Sequence, residues 1–173
     1  AVVGLRDNEN RYLGEDGVWE DQAYVPAYVR RYPFVFVNDQ AASRLILCID
    51  EQAAGFQLQV DERPFFQDGK PSTELNNVMR FCGDYQRQYE ETVQFGKWLE
   101  AEDLLVDRAT RAELPDGRVF TLGGLRILND EKFRALPDDK VLDIHRRGWL
   151  PLLHFHLQSQ SNWTRLSAKI AAR

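Results

Sequence analysis

Two cysteines, three histidines and one methionine in 173 residues leave little material for a metal or redox centre. No C-x-x-C pair is present. Cys48 lies in a strand-like apolar run and Cys82 on an apolar helical stripe. Both read as buried thiols of a reducing compartment. A single disulfide between them stays open, because sequence does not show proximity. No run approaches the roughly 20 apolar residues of a membrane span. The longest, residues 149–157, is short and holds two histidines. A signal peptide is also missing from the start of the chain. So are a nucleophile elbow, a phosphate-binding glycine loop and a dinucleotide fingerprint. There is no basic surplus either. The formal net charge is −5 and the isoelectric point is near 5.3. Lys and Arg alternate with acids, as between Asp84 and Asp103. That argues against general affinity for nucleic acid or anionic membranes, with Arg146–Arg147 as a local exception.

What is present suits a globular protein. Apolar residues make up 43% of the chain, enough to build a core without staples. The length predicts one domain over residues 1–173. The chain opens in strand-like sequence without methionine, which predicts that an upstream segment is missing. Location in the cytoplasm follows, with surface association as the alternative.

Residues 1–5 and 11–13 read as two short strands around the polar turn 7–10. Residues 24–32 read as a short helix, with Pro26 in its first turn and Pro33 beyond its end. Residues 34–37 and 45–49 are apolar, β-branched runs that predict a hairpin or two neighbouring strands. Residues 61–70 form a loop rich in Pro, Gly and Asp. A long helix then starts at Pro71-Ser72-Thr73, with a hydroxyl available to cap it. Leu75, Val78, Cys82, Tyr85, Tyr89, Thr92, Gly96 and Leu99 follow at spacings of three and four and predict one packed apolar face. Gly83 and Gly96 weaken such a helix, so they predict a close backbone neighbour. Residues 104–114 and 118–122 flank Pro115-Asp116-Gly117 as a hairpin. Gly123-Gly124 breaks the second strand, and residues 125–128 read as a third. Asp130 would cap a helix over 131–136. Further helices read over 139–147, closed by Gly148, and over 150–158 and 162–172. The fold class is therefore α+β: a mainly antiparallel sheet, one long packed helix and a C-terminal cluster of shorter helices.

Asp50 and Glu51 lie just past a strand end, where carboxylates often do acid–base work in α/β folds. The plainer reading is favoured: Asp50 caps the turn 51–54, and Glu51 pairs with Arg30 or Arg31. His154 and His156 form an H-x-H. On a strand both would face one side and could hold a metal. On a helix they point about 200° apart and cannot. The surrounding residues look helical, so the metal reading is discounted and no cofactor is expected. Arg30, Arg31, Tyr28, Trp149 and His154 are the candidates for binding a ligand or partner. Core packing is the default for the tryptophans.

Five blocks together resemble the SapC family of bacterial proteins. They are Tyr24-Val-Pro-Ala-Tyr-Val-Arg-Arg-Tyr-Pro-Phe34 with Leu47-Cys-Ile-Asp-Glu51; Phe65-Phe-Gln-Asp-Gly-Lys-Pro-Ser72; Asp84-Tyr-Gln-Arg-Gln-Tyr-Glu-Glu-Thr92; Leu114-Pro-Asp-Gly-Arg-Val-Phe-Thr-Leu-Gly-Gly124; and His154-Phe-His-Leu-Gln-Ser159 with Asn162. The resemblance covers essentially the whole chain in the same order. Gln160 departs from it, standing where a leucine is usual. The family takes its name from a bacterial surface-layer gene cluster. Its members are often encoded beside outer-membrane receptors, tryptophan halogenases and cupin-like hydroxylases. The resemblance implies an accessory role in the envelope or in peptide modification, and it brings no catalytic residues with it.

Three functions follow in order. The first is a non-catalytic protein that recognises a protein or peptide, which predicts an exposed apolar or aromatic patch. The second is an enzyme of hydroxylase or hydrolase type using Asp50, Glu51, His154 or His156. The third is a structural surface-layer component.

Overall fold

Ser72 sets the start of the longest element. Its hydroxyl accepts from the Leu75 N–H at 3.2 Å, and the side chain is buried. That satisfies one of the orphan donors of a helix that then runs over Thr73–Ala101. The computed structural model describes residues 2–39, 41, 44–53, 64–113 and 117–171. The loop expected over 61–70 and the Pro115-Asp116-Gly117 turn lie partly outside the described residues.

In chain order the elements are α1 Ala27–Arg30, β1 Phe34–Asp39, β2 Arg44–Ile49, β3 Phe66–Gln67, β4 Lys70–Pro71, α2 Thr73–Ala101, β5 Leu105–Glu113, β6 Val119–Leu128, α3 Asp130–Arg134, α4 Asp138–Arg146, α5 Leu150–Ser159 and α6 Asn162–Ala171. The fold is α+β. The strands form three two-stranded antiparallel ribbons, β1–β2, β3–β4 and β5–β6. In the first, Phe34 faces Ile49 and Asp39 faces Arg44.

The chain divides into two compact units. One comprises residues 1–23 and 95–173, the other residues 24–94. α2 contributes to both. The larger unit has a core of Leu99, Leu104, Leu128, Ile144 and Leu153, with Trp98 and Trp149 packed against it. A second cluster joins Leu166 and Ile170 of α6 to Leu5, Tyr12, Phe120 and Trp163.

Several expectations change. Among the described residues no strand forms at 2–5 or 11–13; Leu13 bridges Trp19, and Arg11 N donates to Val3 O at 2.8 Å. Side chains take the backbone donors that a ladder would use. Glu9 accepts from Leu5 N at 3.0 Å, and Asn10 accepts from Tyr12 N at 3.0 Å. Leu5 and Tyr12 pack on α6 instead. The expected third strand at 125–128 is the end of β6. Gly123 and Gly124 oppose Ala109 alone, between the pairs Arg108–Leu125 and Thr110–Leu122. This bulge needs Gly124 at φ 73°, so the glycines bend the strand without ending it. Asn129, not Asp130, caps α3, accepting from Lys132 N at 3.1 Å.

α4 ends as its glycine predicts. Gly148 N donates to His145 O at 3.0 Å and Trp149 N to Ile144 O at 2.9 Å, a Schellman closure with Gly148 at φ 72°. The stripe on α2 is buried only towards its ends. Cys82 and Leu99 are enclosed, whereas Tyr89 is 55% exposed and Thr92 is also exposed. Among the described residues no other segment's backbone comes close to Gly83 or Gly96; a Cβ added at either would meet no described atom within 4 Å.

Candidate functional site

Tyr24, Tyr28 and Tyr32 recur every four residues through α1 and its flanks, and all three are more than half exposed. The two arginines between them turn toward rings. Arg30 has its guanidinium 5.6 Å from the Tyr24 ring centre and 5.2 Å from that of Phe81. It also donates to the Tyr24 hydroxyl at 3.4 Å. Arg31 lies 4.9 Å from Tyr28 and 4.7 Å from Tyr85. A guanidinium is flat and weakly hydrated, so the negative face of a ring attracts it at little desolvation cost. Each contact of this exposed kind contributes about 0.5–1 kcal/mol.

Neither arginine forms an ion pair among the described residues. The expected pairing of Glu51 with Arg30 or Arg31 is therefore corrected. Glu51 sits exposed in the turn after β2. Asp50 is engaged elsewhere: one oxygen accepts from the Tyr32 hydroxyl at 2.9 Å, the other from Gln52 N at 3.0 Å. The bond to Asp50 holds the Tyr32 phenol above its usual pKa, because ionising it would remove the donor and add a second negative charge.

The same unit contains a cavity of about 340 Å³. Phe34, Leu47 and Ile49 of the hairpin line it, together with Phe66, Leu75 and Met79; Cys48 also borders it. Both cysteines are free. Burial pushes the Cys82 thiol up, and the nearby Arg31 cation partly offsets this. Sequence reading missed the cavity and the roles of Phe81 and Tyr85. Their four-residue spacing on α2 was visible, but nothing in the sequence says that they meet arginines from a preceding helix.

The remaining candidates belong to the other unit. Trp149 packs with Phe95 at 5.5 Å and Trp98 at 6.0 Å, and Arg147 lies over its ring at 4.9 Å. His154 is exposed and meets the Phe133 ring edge-on at 5.6 Å. His156 is half-buried, and its Nε2 accepts from Leu128 N at 3.2 Å, tying α5 to the end of β6. Burial lowers its pKa by disfavouring the imidazolium. Both histidines lie on α5, two residues apart, so they project in different directions. Among the described residues no group of three or more His, Cys, Asp or Glu could hold a metal. No described helix is long and apolar enough to cross a membrane.

The SapC family model matches residues 1–166. The chain belongs to the SapC family. Neither curated proteins nor solved structures match it. The SapC match runs through both compact units. It includes the tyrosine–arginine face, the apolar cavity and the α5 histidines.

Proposed function

We propose that this SapC protein is a non-catalytic accessory protein that recognises a protein or peptide partner. The recognising surface is the tyrosine–arginine face of residues 24–94. One observation carries the reading. Two guanidinium groups without carboxylate partners among the described residues lie against the exposed rings of Tyr24 and Tyr28. Tyr and Arg are the residues that interfaces concentrate, because each joins large contact area to directed donors.

The hairpin adds apolar surface. Val35, Val37 and Ile46 share one of its faces and are 39%, 49% and 39% exposed. Contiguous apolar surface beside polar groups suits association. The family resemblance directs the search for partners to envelope or peptide-tailoring systems. The unbroken family match favours reading both units as parts of one SapC domain.

The test is co-purification of the tagged, full-length protein from its native host, beside a Tyr24→Ala/Tyr28→Ala variant. Both side chains are exposed, so the variant should fold. A partner enriched with the wild type and lost with the variant is expected. Recovery of the protein alone, or of a partner indifferent to the variant, would refute the reading.

A further inference from the structure

The two arginines lean on different rings. They are consecutive in a helical turn, so their side chains leave the axis about 100° apart. Each lies against its own pair of rings: Arg30 against Tyr24 and Phe81, Arg31 against Tyr28 and Tyr85. Phe81 and Tyr85 stand four residues apart on α2, which is about 6 Å along the helix axis. The guanidinium groups are therefore presented on separate pairs of rings. The ring faces hold them and leave N–H edges for acceptors. Among the described residues the Arg31 guanidinium donates to nothing, and that of Arg30 donates only to the Tyr24 hydroxyl.

Arg80, one residue before Phe81, is a third cation with no ion pair among the described residues. The acids Asp50 and Asp84 are already engaged, by Tyr32 and by Arg87 at 3.0 Å. A cationic face on a chain of net charge −5 selects an anionic partner. Two carboxylates on alternate residues of an extended peptide lie on one side of the backbone, so a single strand can offer one to each arginine. A carboxylate also suits the planar guanidinium fork.

Resting on the recognition reading above, we infer that this face binds an extended acidic peptide segment with carboxylates at alternate positions. Arg30 and Arg31 each take one of them.

Fluorescence anisotropy with the full chain tests this. The probe is a labelled ten-residue peptide with glutamates at alternate positions. Controls carry glutamine in their place, or the same glutamates side by side. The alternating peptide should bind about tenfold or more tighter than its glutamine counterpart, as loss of charge-assisted bonds implies. Added salt should weaken it. The Arg30→Gln/Arg31→Gln variant should lose the preference, and Arg30→Lys/Arg31→Lys should retain part of it. Circular dichroism shows that each variant is folded.

Equal binding of the glutamate and glutamine peptides overturns the inference. So does a preference that survives in the double glutamine variant. Binding of anionic phospholipid vesicles with no peptide binding also overturns it, because the face would then read a membrane. The two failures are separable. A native partner lost with Tyr24→Ala/Tyr28→Ala but kept by Arg30→Gln/Arg31→Gln defeats the acidic peptide alone. A partner indifferent to both variants defeats the recognition reading as well.

Discussion

Replacing Gly83 or Gly96 with alanine should stabilise the protein. Both sit inside α2, where glycine costs about 0.8–1.0 kcal/mol against alanine through its backbone entropy. The usual reason to tolerate that cost is a neighbour too close for a Cβ. At these positions an added Cβ meets no described atom within 4 Å. The full propensity gain should therefore be realised, about 1 kcal/mol each. The two sites are 13 residues apart, about 20 Å along the helix, so the gains should add. The double variant should gain about 2 kcal/mol, or roughly 4–8 °C in melting temperature for a chain of this size. Urea titration followed by circular dichroism measures the first, and a thermal scan the second. Gly148→Ala is the contrasting control. At φ 72° it should lose about 1–2 kcal/mol, because a side chain is strained there. A lower midpoint for Gly83→Ala or Gly96→Ala would refute the reasoning.

Three further outcomes are expected. Leu153→Ala removes one of the most enclosed side chains of the larger unit and should cost about 2–5 kcal/mol by urea titration. Ser72→Ala removes the cap of α2 and should cost about 1 kcal/mol, visible as a lower thermal midpoint. His156 gives a pH dependence of definite sign. Its folded pKa lies below the ordinary histidine value, so the unfolded chain takes the proton first. This term is silent above about pH 6.5, where both states are neutral. Stability should fall as pH drops through that value, then level off below the folded pKa. Urea midpoints for wild type and His156→Gln between pH 8 and pH 5 should differ by that slope. Parallel curves would refute the assignment.

Much of the helical framework was legible because its signals are local. Ser72 and Gly148 mark a start and a stop through their own backbone chemistry, and both act where the sequence places them. The β1–β2 hairpin was legible from two β-branched runs separated by a polar stretch. The errors have local causes too. Glu9 and Asn10 take donors that a strand would need, so apolar spacing at 1–13 misled. Gly123-Gly124 reads as a break, yet a glycine at positive φ also builds a bulge within a continuous ribbon. Asn129 and Asp130 are both good caps, and only geometry chose the first.

The sequence by itself determined the fold class, the family and the residue types on the candidate face. It could place Arg30, Arg31, Asp50 and Glu51 close along the chain, but not assign their partners. Charge alone favours pairing them with one another. Tertiary structure decided otherwise: α2 brings Phe81 and Tyr85 to the arginines, and Tyr32 takes the Asp50 carboxylate. Short-range signals follow from the backbone of each segment. The partner of a side chain depends on which distant segment packs beside it, and spacing along one chain does not encode that contact.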